Sequence, residues 1–139
     1  MIGEKVVLRV RMSSHDAHYA GELVNGSRIL DFWGDVGTEL AIRLHGDESL
    51  FIGYEQVQFT APVYAGDFME YHGWIEKAGN SSFTCTFEAY KYITLPRDPK
   101  LAISAANVLP EPVLCAKATG TLVVQKQFQR GAQDPAFKR

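Results

Sequence analysis

The sequence predicts an α+β fold in which one antiparallel sheet of five strands wraps around a single long helix. Three observations predict it. The chain opens on a stretch of period-2 alternation, continues into a run with apolar residues at helical spacing, and ends in four segments rich in β-branched and aromatic residues separated by turn formers. At 139 residues, 46% hydrophobic and 22% charged, it has the size and composition of one globular unit, so residues 1–139 are read as a single domain with one core.

The first strand is read from Val6 to Met12, where Val6, Leu8, Val10 and Met12 alternate with Val7, Arg9 and Arg11. Ser13 to Asn25, rich in His, Asp, Gly and Asn, leads to Gly26-Ser27, with Ser27 as the expected N-cap of a helix. From Ile29 the apolar residues Ile29, Trp33, Val36, Leu40 and Leu44 recur at i, i+4, i+7, i+11 and i+15, a stripe suited to packing on a sheet, and Gly46 stops it. Four strands follow: Leu50 to Phe59, Phe68 to Lys77, Ser82 to Ile93 and Val113 to Lys126. Gly79-Asn80-Ser81 suits a hairpin, so neighbouring strands are expected to run antiparallel. Thr94 to Pro112, with four prolines, is long for a plain connection and is read as a functional excursion or a mobile loop. One sheet on one helix leaves an outer face and edges uncovered, so at least a homodimer is expected.

A net charge of −2 excludes the broad basic footprint of a nucleic-acid binder, and no window approaches the ~18 apolar residues of a membrane span. With no basic, apolar and cleavable leader at the start, the chain is expected to be soluble and cytoplasmic. Cys85 and Cys115 lie in apolar strand-like runs and match no metal spacing, which points to buried thiols in a reducing compartment. No dinucleotide fingerprint, phosphate loop, metal cluster or serine elbow is present in the sequence, so no metal site is expected.

Two strings give these elements a family. Asp16-Ala17-His18-Tyr19-Ala20-Gly21-Glu22-Leu23-Val24-Asn25-Gly26, running into a helix that carries Asp35, and Phe59-Thr60-Ala61-Pro62-Val63-Tyr64-Ala65-Gly66-Asp67 together resemble the hotdog superfamily of acyl-CoA thioesterases and relatives over nearly the whole chain. Three further strings, Met12 to Tyr19, Trp33 to Leu40 and Gly66 to Lys77, resemble the 3-aminoacyl-CoA ammonia-lyases within it. That resemblance implies a hotdog fold and reversible release of ammonia from β-alanyl-CoA or 3-aminobutyryl-CoA, giving acrylyl-CoA or crotonyl-CoA. It implies no cofactor, CoA being part of the substrate, with active sites at a homodimer interface and a hexameric trimer of dimers. It is weakest from Ile93 to Pro112. An acyl-CoA thioesterase and a non-catalytic acyl-CoA-binding protein are the alternative readings.

At about 100° per residue, Asp31, Asp35 and Glu39 form an acidic ridge beside the apolar stripe. Spacing alone favours a solvated face, with Arg28 and Arg43 placed for weak ion pairs. Gly34, Gly37, Thr38 and Ile42 on or beside that face suit contact with another chain or a ligand instead. With the resemblance, Asp35 and Glu39 become the catalytic candidates and Asp31 stays structural. One of the two would take the α proton and the other would hold the amine; which does which stays open. The thioester oxygen would meet backbone N–H groups around Asn25, Gly26 and Ser27 at the helix N-terminus. In thioesterases the position of Glu39 is usually small and uncharged, so an acid there suits a lyase. His18 is a candidate substrate contact or proton carrier, His15 and Tyr19 weaker ones, and His45 and His72 are read as structural. Phe59, Val63 or Trp33 would set room at the β carbon. Lys91, Arg97, Lys100 and Arg130 are weak candidates for the CoA phosphates.

Overall fold

In order along the chain, the elements are β1 (Ile2–Arg11), the short strands β2 (Ala17–Tyr19) and β3 (Leu23–Val24), the helix α1 (Gly26–His45), and β4 (Leu50–Phe59), β5 (Phe68–Ala78), β6 (Ser82–Thr94) and β7 (Asn107–Val123). The computed structural model describes residues 1–139 and arranges the five long strands as one antiparallel sheet in the order β1-β5-β6-β7-β4. β2 and β3 pair separately. No helix is long and apolar enough to cross a membrane.

α1 forms where the stripe predicts and lays that stripe on the sheet: Ile29, Trp33, Val36, Leu40 and Leu44 are all buried, joined by Phe32, Gly37 and Ala41. Each large apolar side chain taken fully out of water contributes about 1.5–3 kcal/mol, so this face anchors the helix. The facing strands answer with the expected alternation: Phe83, Cys85, Phe87 and Ala89 point inward, while Thr84, Thr86, Glu88 and Tyr90 are only partly covered. Gly46 ends the helix in the left-handed region, at φ 67°, and donates its N–H to Ile42 O. The start differs from expectation. Asn25, not Ser27, is the N-cap, because its backbone is the last extended one; Ser27 lies within the first turn.

The stretch from Thr94 to Pro112 is shorter as a loop than its prolines suggest. β7 begins at Asn107, and Pro110 and Pro112 lie inside it. Lys91 pairs with Val113 and Ile93 with Val108, so residues 109–112 bulge out of the ladder. β4 reaches only to Ala116 of β7, so the bulge has no neighbour on that side and the missing proline N–H groups cost no ladder bond. At its other end β7 stops at Val123 rather than Lys126, and the last residues turn back to the helix. Arg130 N–H donates to His45 O, Gln133 and Asp134 N–H to Arg43 O, and Phe137 is buried beside β1. Nothing in the sequence pattern predicts that clasp. Both cysteines are free and buried, and burial pushes the Cys85 thiol up to about 12.

Candidate active site

The N-terminus of α1 opens onto an apolar cavity of about 360 Å³ between β2, β3 and the end of β4. Tyr19, Val24, Gly26, Ile29, Phe59 and Val63 line it. A Cβ at Gly26 would run into the tip of the Phe59 ring, so glycine lets the helix start close against β4 with Phe59 in this position. Asn25 makes no side-chain cap. Its amide hydrogen-bonds the Ser27 hydroxyl instead, and neither the Gly26 nor the Ser27 backbone N–H finds a backbone acceptor. Two unpaired donors at the positive end of a 20-residue helix therefore stand beside a cavity whose walls are mostly apolar. Of the side chains considered for the β carbon, Phe59 and Val63 face this space. Trp33 does not: it is fully buried in the core, its indole N–H donating to Glu88 O.

His18 and Tyr19 sit on β2, both exposed, with their rings edge to face at 5.2 Å. His15 is exposed in the preceding turn, its N–H on Ser13 Oγ. Between them Asp16 is buried, and sequence reasoning treated it only as part of a family string. Its carboxylate accepts the Ser13 N–H at 2.7 Å and the Arg28 Nε at 2.7 Å. Burial pushes the Asp16 carboxyl up, but Ser13 and Arg28 outweigh it and hold the group below its ordinary value. The sequence signal was available: an acid two residues before His18 and an arginine two after Gly26.

The ridge runs along the exposed side of α1. Asp31 pairs with Arg28 at 3.3 Å and Glu39 with Arg43 at 2.9 Å, leaving Asp35 as its one carboxylate without a cation partner. Arg43 is shared, its other arm reaching Asp134 of the C-terminal clasp at 2.5 Å. Gly34 lies open beside Asp35, and a shallow groove runs from Leu30, Gly34 and Thr38 to Phe51 and Ile52 of β4. Ile52 is 62% exposed on an edge strand, next to this groove.

The cationic candidates separate. Lys91 is 8% exposed, donates to Pro62 O at 2.7 Å and pairs with Asp67 at 3.1 Å. Its charge is committed to the Pro62–Asp67 turn, which corrects its reading as a free phosphate ligand. Arg97 stacks 4.5 Å over Tyr64 and donates to Gly21 O and Ala65 O, at the rim of a second cavity of about 450 Å³ that includes Leu95, Leu101 and Ile103. Lys100 is exposed on the same loop. Arg130 donates to Gly46 O at the far end of α1, roughly 30 Å from Gly26 at the rise of an α-helix, which places it outside the Gly26 cavity of its own chain. His45 and His72 are held within the fold, His45 buried at the helix end and His72 beside Glu70 on β5.

A hotdog sheet and helix, with an apolar slot at the helix N-terminus and carboxylates along its open face, define a class. The chain belongs to the thioesterase superfamily, whose family model matches residues 21–93, a span that holds the Gly26 entry, the ridge and the Phe59–Asp67 turn. Within it the chain is 51% identical over 126 residues to the 3-aminobutyryl-CoA ammonia lyase of Acetoanaerobium sticklandii, covering 91% of this chain and 98% of that one. It is also 55% identical to the beta-alanyl-CoA:ammonia lyase from Clostridium propionicum, whose solved structure matches with a TM-score of 0.95 over 99% of this chain and 96% of that one. A hexameric hotdog fold thioesterase of Campylobacter jejuni matches with a TM-score of 0.70 at 19% identity, over 90% of this chain and 86% of that one, a likeness of fold alone.

Proposed function

We propose that this protein is an ammonia-lyase that reversibly eliminates ammonia from a 3-aminoacyl-CoA to give the enoyl-CoA. The carrying observation is identity above one half, over nearly the whole chain, to two proteins both named as ammonia lyases of 3-aminoacyl thioesters. The site geometry supports the chemistry. The thioester carbonyl accepts the unpaired N–H groups of Gly26 and Ser27, which stabilise the enolate oxygen better than the ground-state carbonyl. A ridge carboxylate takes the α proton, the C–N electron pair leaves with nitrogen as ammonia, and the α,β double bond forms. Asp35, free of any cation partner, is the better placed base of the two; Glu39, held one turn away by Arg43, receives the ammonium group. Tyr19 lines the mouth of the slot, with His18 edge-on beside it. The reaction needs no cofactor.

One protomer does not complete this site. Asp35 stands roughly 13 Å along α1 from Gly26 at the α-helical rise, beyond the reach of one thioester. A homodimer paired along the β4 edges, where Leu50, Ile52 and Phe59 are exposed, brings the ridge of one chain toward the slot of the other. Three such dimers would form a hexamer, the assembly the family resemblance implies; a Campylobacter jejuni protein of the same fold is itself named as hexameric. Two buried free thiols fit a reducing, cytoplasmic setting. Arg97 and Lys100 remain the candidate CoA phosphate ligands.

The test mixes purified protein with crotonyl-CoA or acrylyl-CoA and ammonium, following loss of enoyl absorbance and, separately, release of thiol. Absorbance should fall without thiol release, and Asp35→Asn and Glu39→Gln should each lower kcat by about 10²-fold or more while leaving the circular dichroism spectrum unchanged. Thiol release without amine addition would make the protein a thioesterase.

A further inference from the structure

We propose that the ion pair between the buried Asp16 carboxylate and the half-exposed Arg28 guanidinium is a positioning device for catalysis: it fixes the His15–Tyr19 segment against the first turn of α1, so that Tyr19, with His18 edge-on beside it, meets the same thioester as the unpaired N–H groups of Gly26 and Ser27. This rests on the ammonia-lyase reading above. Asp16 is one of only four buried polar or charged residues in the chain, at 7% exposure. One carboxylate oxygen receives the N–H and hydroxyl of Ser13, at 2.7 and 3.2 Å, closing the turn before His18; the other receives Arg28 Nε. Arg28 in turn lies 4.4 Å over the Phe32 ring and reaches Asp31. Phe32 stacks on Tyr71 at 4.7 Å, and the Tyr71 hydroxyl donates to Met12 Sδ, so the pair stands on the core.

Stability alone does not account for this arrangement. The Asp16 carboxylate must leave water while Arg28 stays partly in it, and an apolar contact of similar volume commonly matches or exceeds the stability of a pair that carries such a desolvation cost. What a guanidinium gives that an apolar contact does not is direction, since its donors have fixed angles in one plane. The pair links the two halves of the site mouth close to both, two residues before His18 and two after Gly26. The other ties between β1 and α1 hold the ends of the segment: Met12 against Gly66 and Asp67 on one side, and Gly21 to Val24 against Arg97, Tyr64, Ala65 and Val63 on the other, leaving the short β2–β3 pairing and the Asp16–Arg28 pair to place His15–Tyr19. Placement at this mouth matters because a shift of about 1 Å in a reacting arrangement lowers turnover by up to about 10²-fold.

The experiment measures addition of ammonia to crotonyl-CoA by wild type, Asp16→Asn, Arg28→Lys and Arg28→Ala, with kcat expressed per folded protomer. The three variants should lose about tenfold to a hundredfold in kcat, with KM for crotonyl-CoA changing by less than about threefold. Guanidinium chloride at low, non-denaturing concentration should restore part of the turnover of Arg28→Ala, a response that a purely structural role does not give. If Asp16→Asn fails to fold, the two Arg28 variants decide the matter, that side chain being 40% exposed. Wild-type kcat in folded Arg28→Lys, or no rescue of Arg28→Ala, overturns the positioning role while the lyase reading stands. A wild type that adds no ammonia overturns the lyase reading itself.

Discussion

Lys91 illustrates how a residue's surroundings override its type. On sequence it is one more basic side chain near the end of a strand; in the fold it is buried against Asp67, whose other contacts are the Tyr64 N–H at 2.8 Å and the Thr94 hydroxyl at 2.6 Å. Removing one partner of such a pair leaves a buried charge uncompensated, so Lys91→Met should destabilise the protein by about 3 kcal/mol or more while leaving KM for crotonyl-CoA near wild type in the protein that folds, as read by thermal melts and steady-state kinetics. A CoA ligand would show the reverse pattern. His45 makes a second residue-scale prediction. Burial lowers its pKa below the ordinary 6.5, with Arg139 pushing the same way and Asp47 opposing. The unfolded chain therefore takes up a proton near pH 6.5 that the native state refuses until lower pH, and native stability falls as pH drops below about 6.5. Asp16 acts lower down and in the same direction: its carboxyl is held below 3.8, so its contribution is present above that value and is lost as pH falls through the depressed one. Melting temperature should fall more steeply from about pH 7 to about pH 5 in wild type than in His45→Gln, and equal slopes would remove His45 from the account.

At the scale of elements, what could be read from the sequence was what repeats. The stripe on α1 and the alternation on β6 are periodic over many residues, and both elements lie within a residue or two of expectation. The missed features depend on single long-range contacts, which leave no period. The prolines of β7 are tolerated because β4 is too short to flank them, a fact about another strand. Asn25 rather than Ser27 caps the helix because the backbone turns there to let Gly26 meet Phe59, again a contact across the fold. The candidate site follows the same division. Asp35 and Glu39 show at helical spacing, whereas Arg43 reaching Asp134 across 91 residues does not. The C-terminal clasp is the largest element so hidden, and it carries its own prediction. Phe137 is 1% exposed, with its ring against Gly3 of β1, so Phe137→Ala should cost about 3–5 kcal/mol of stability, a large effect for a residue third from the end. Because the same segment brings Asp134 to Arg43, the variant should also alter kcat through Glu39 beyond what its folded fraction explains. Chemical denaturation beside kcat per folded protomer separates the two effects.

For the whole molecule, the decisive geometric fact is the length of α1. Its N–H donors lie at one end and its unpartnered Asp35 lies in the middle, two and a half turns away at 3.6 residues per turn, while the β4 edge next to both exposes Ile52 and Phe59. On the proposed composite site, a folded single chain holds two halves of different sites. This can be tested without any structure of the assembly. Asp35→Asn disables the carboxylate half; Ser27→Pro disables the donor half, deleting one N–H in the first helical turn, where proline is tolerated. Each homodimer should retain no more than about a hundredth of wild-type activity. Mixed, partly unfolded and refolded together, half of the dimers at equal input are mixed ones, and each of these assembles one site with both halves intact beside one with neither. Activity should then return to about a quarter of wild type per protomer, from two preparations that each have about a hundredth or less. If each chain instead held a complete site, no mixing ratio would restore turnover, and the composite site would be refuted together with the dimer geometry that implies it.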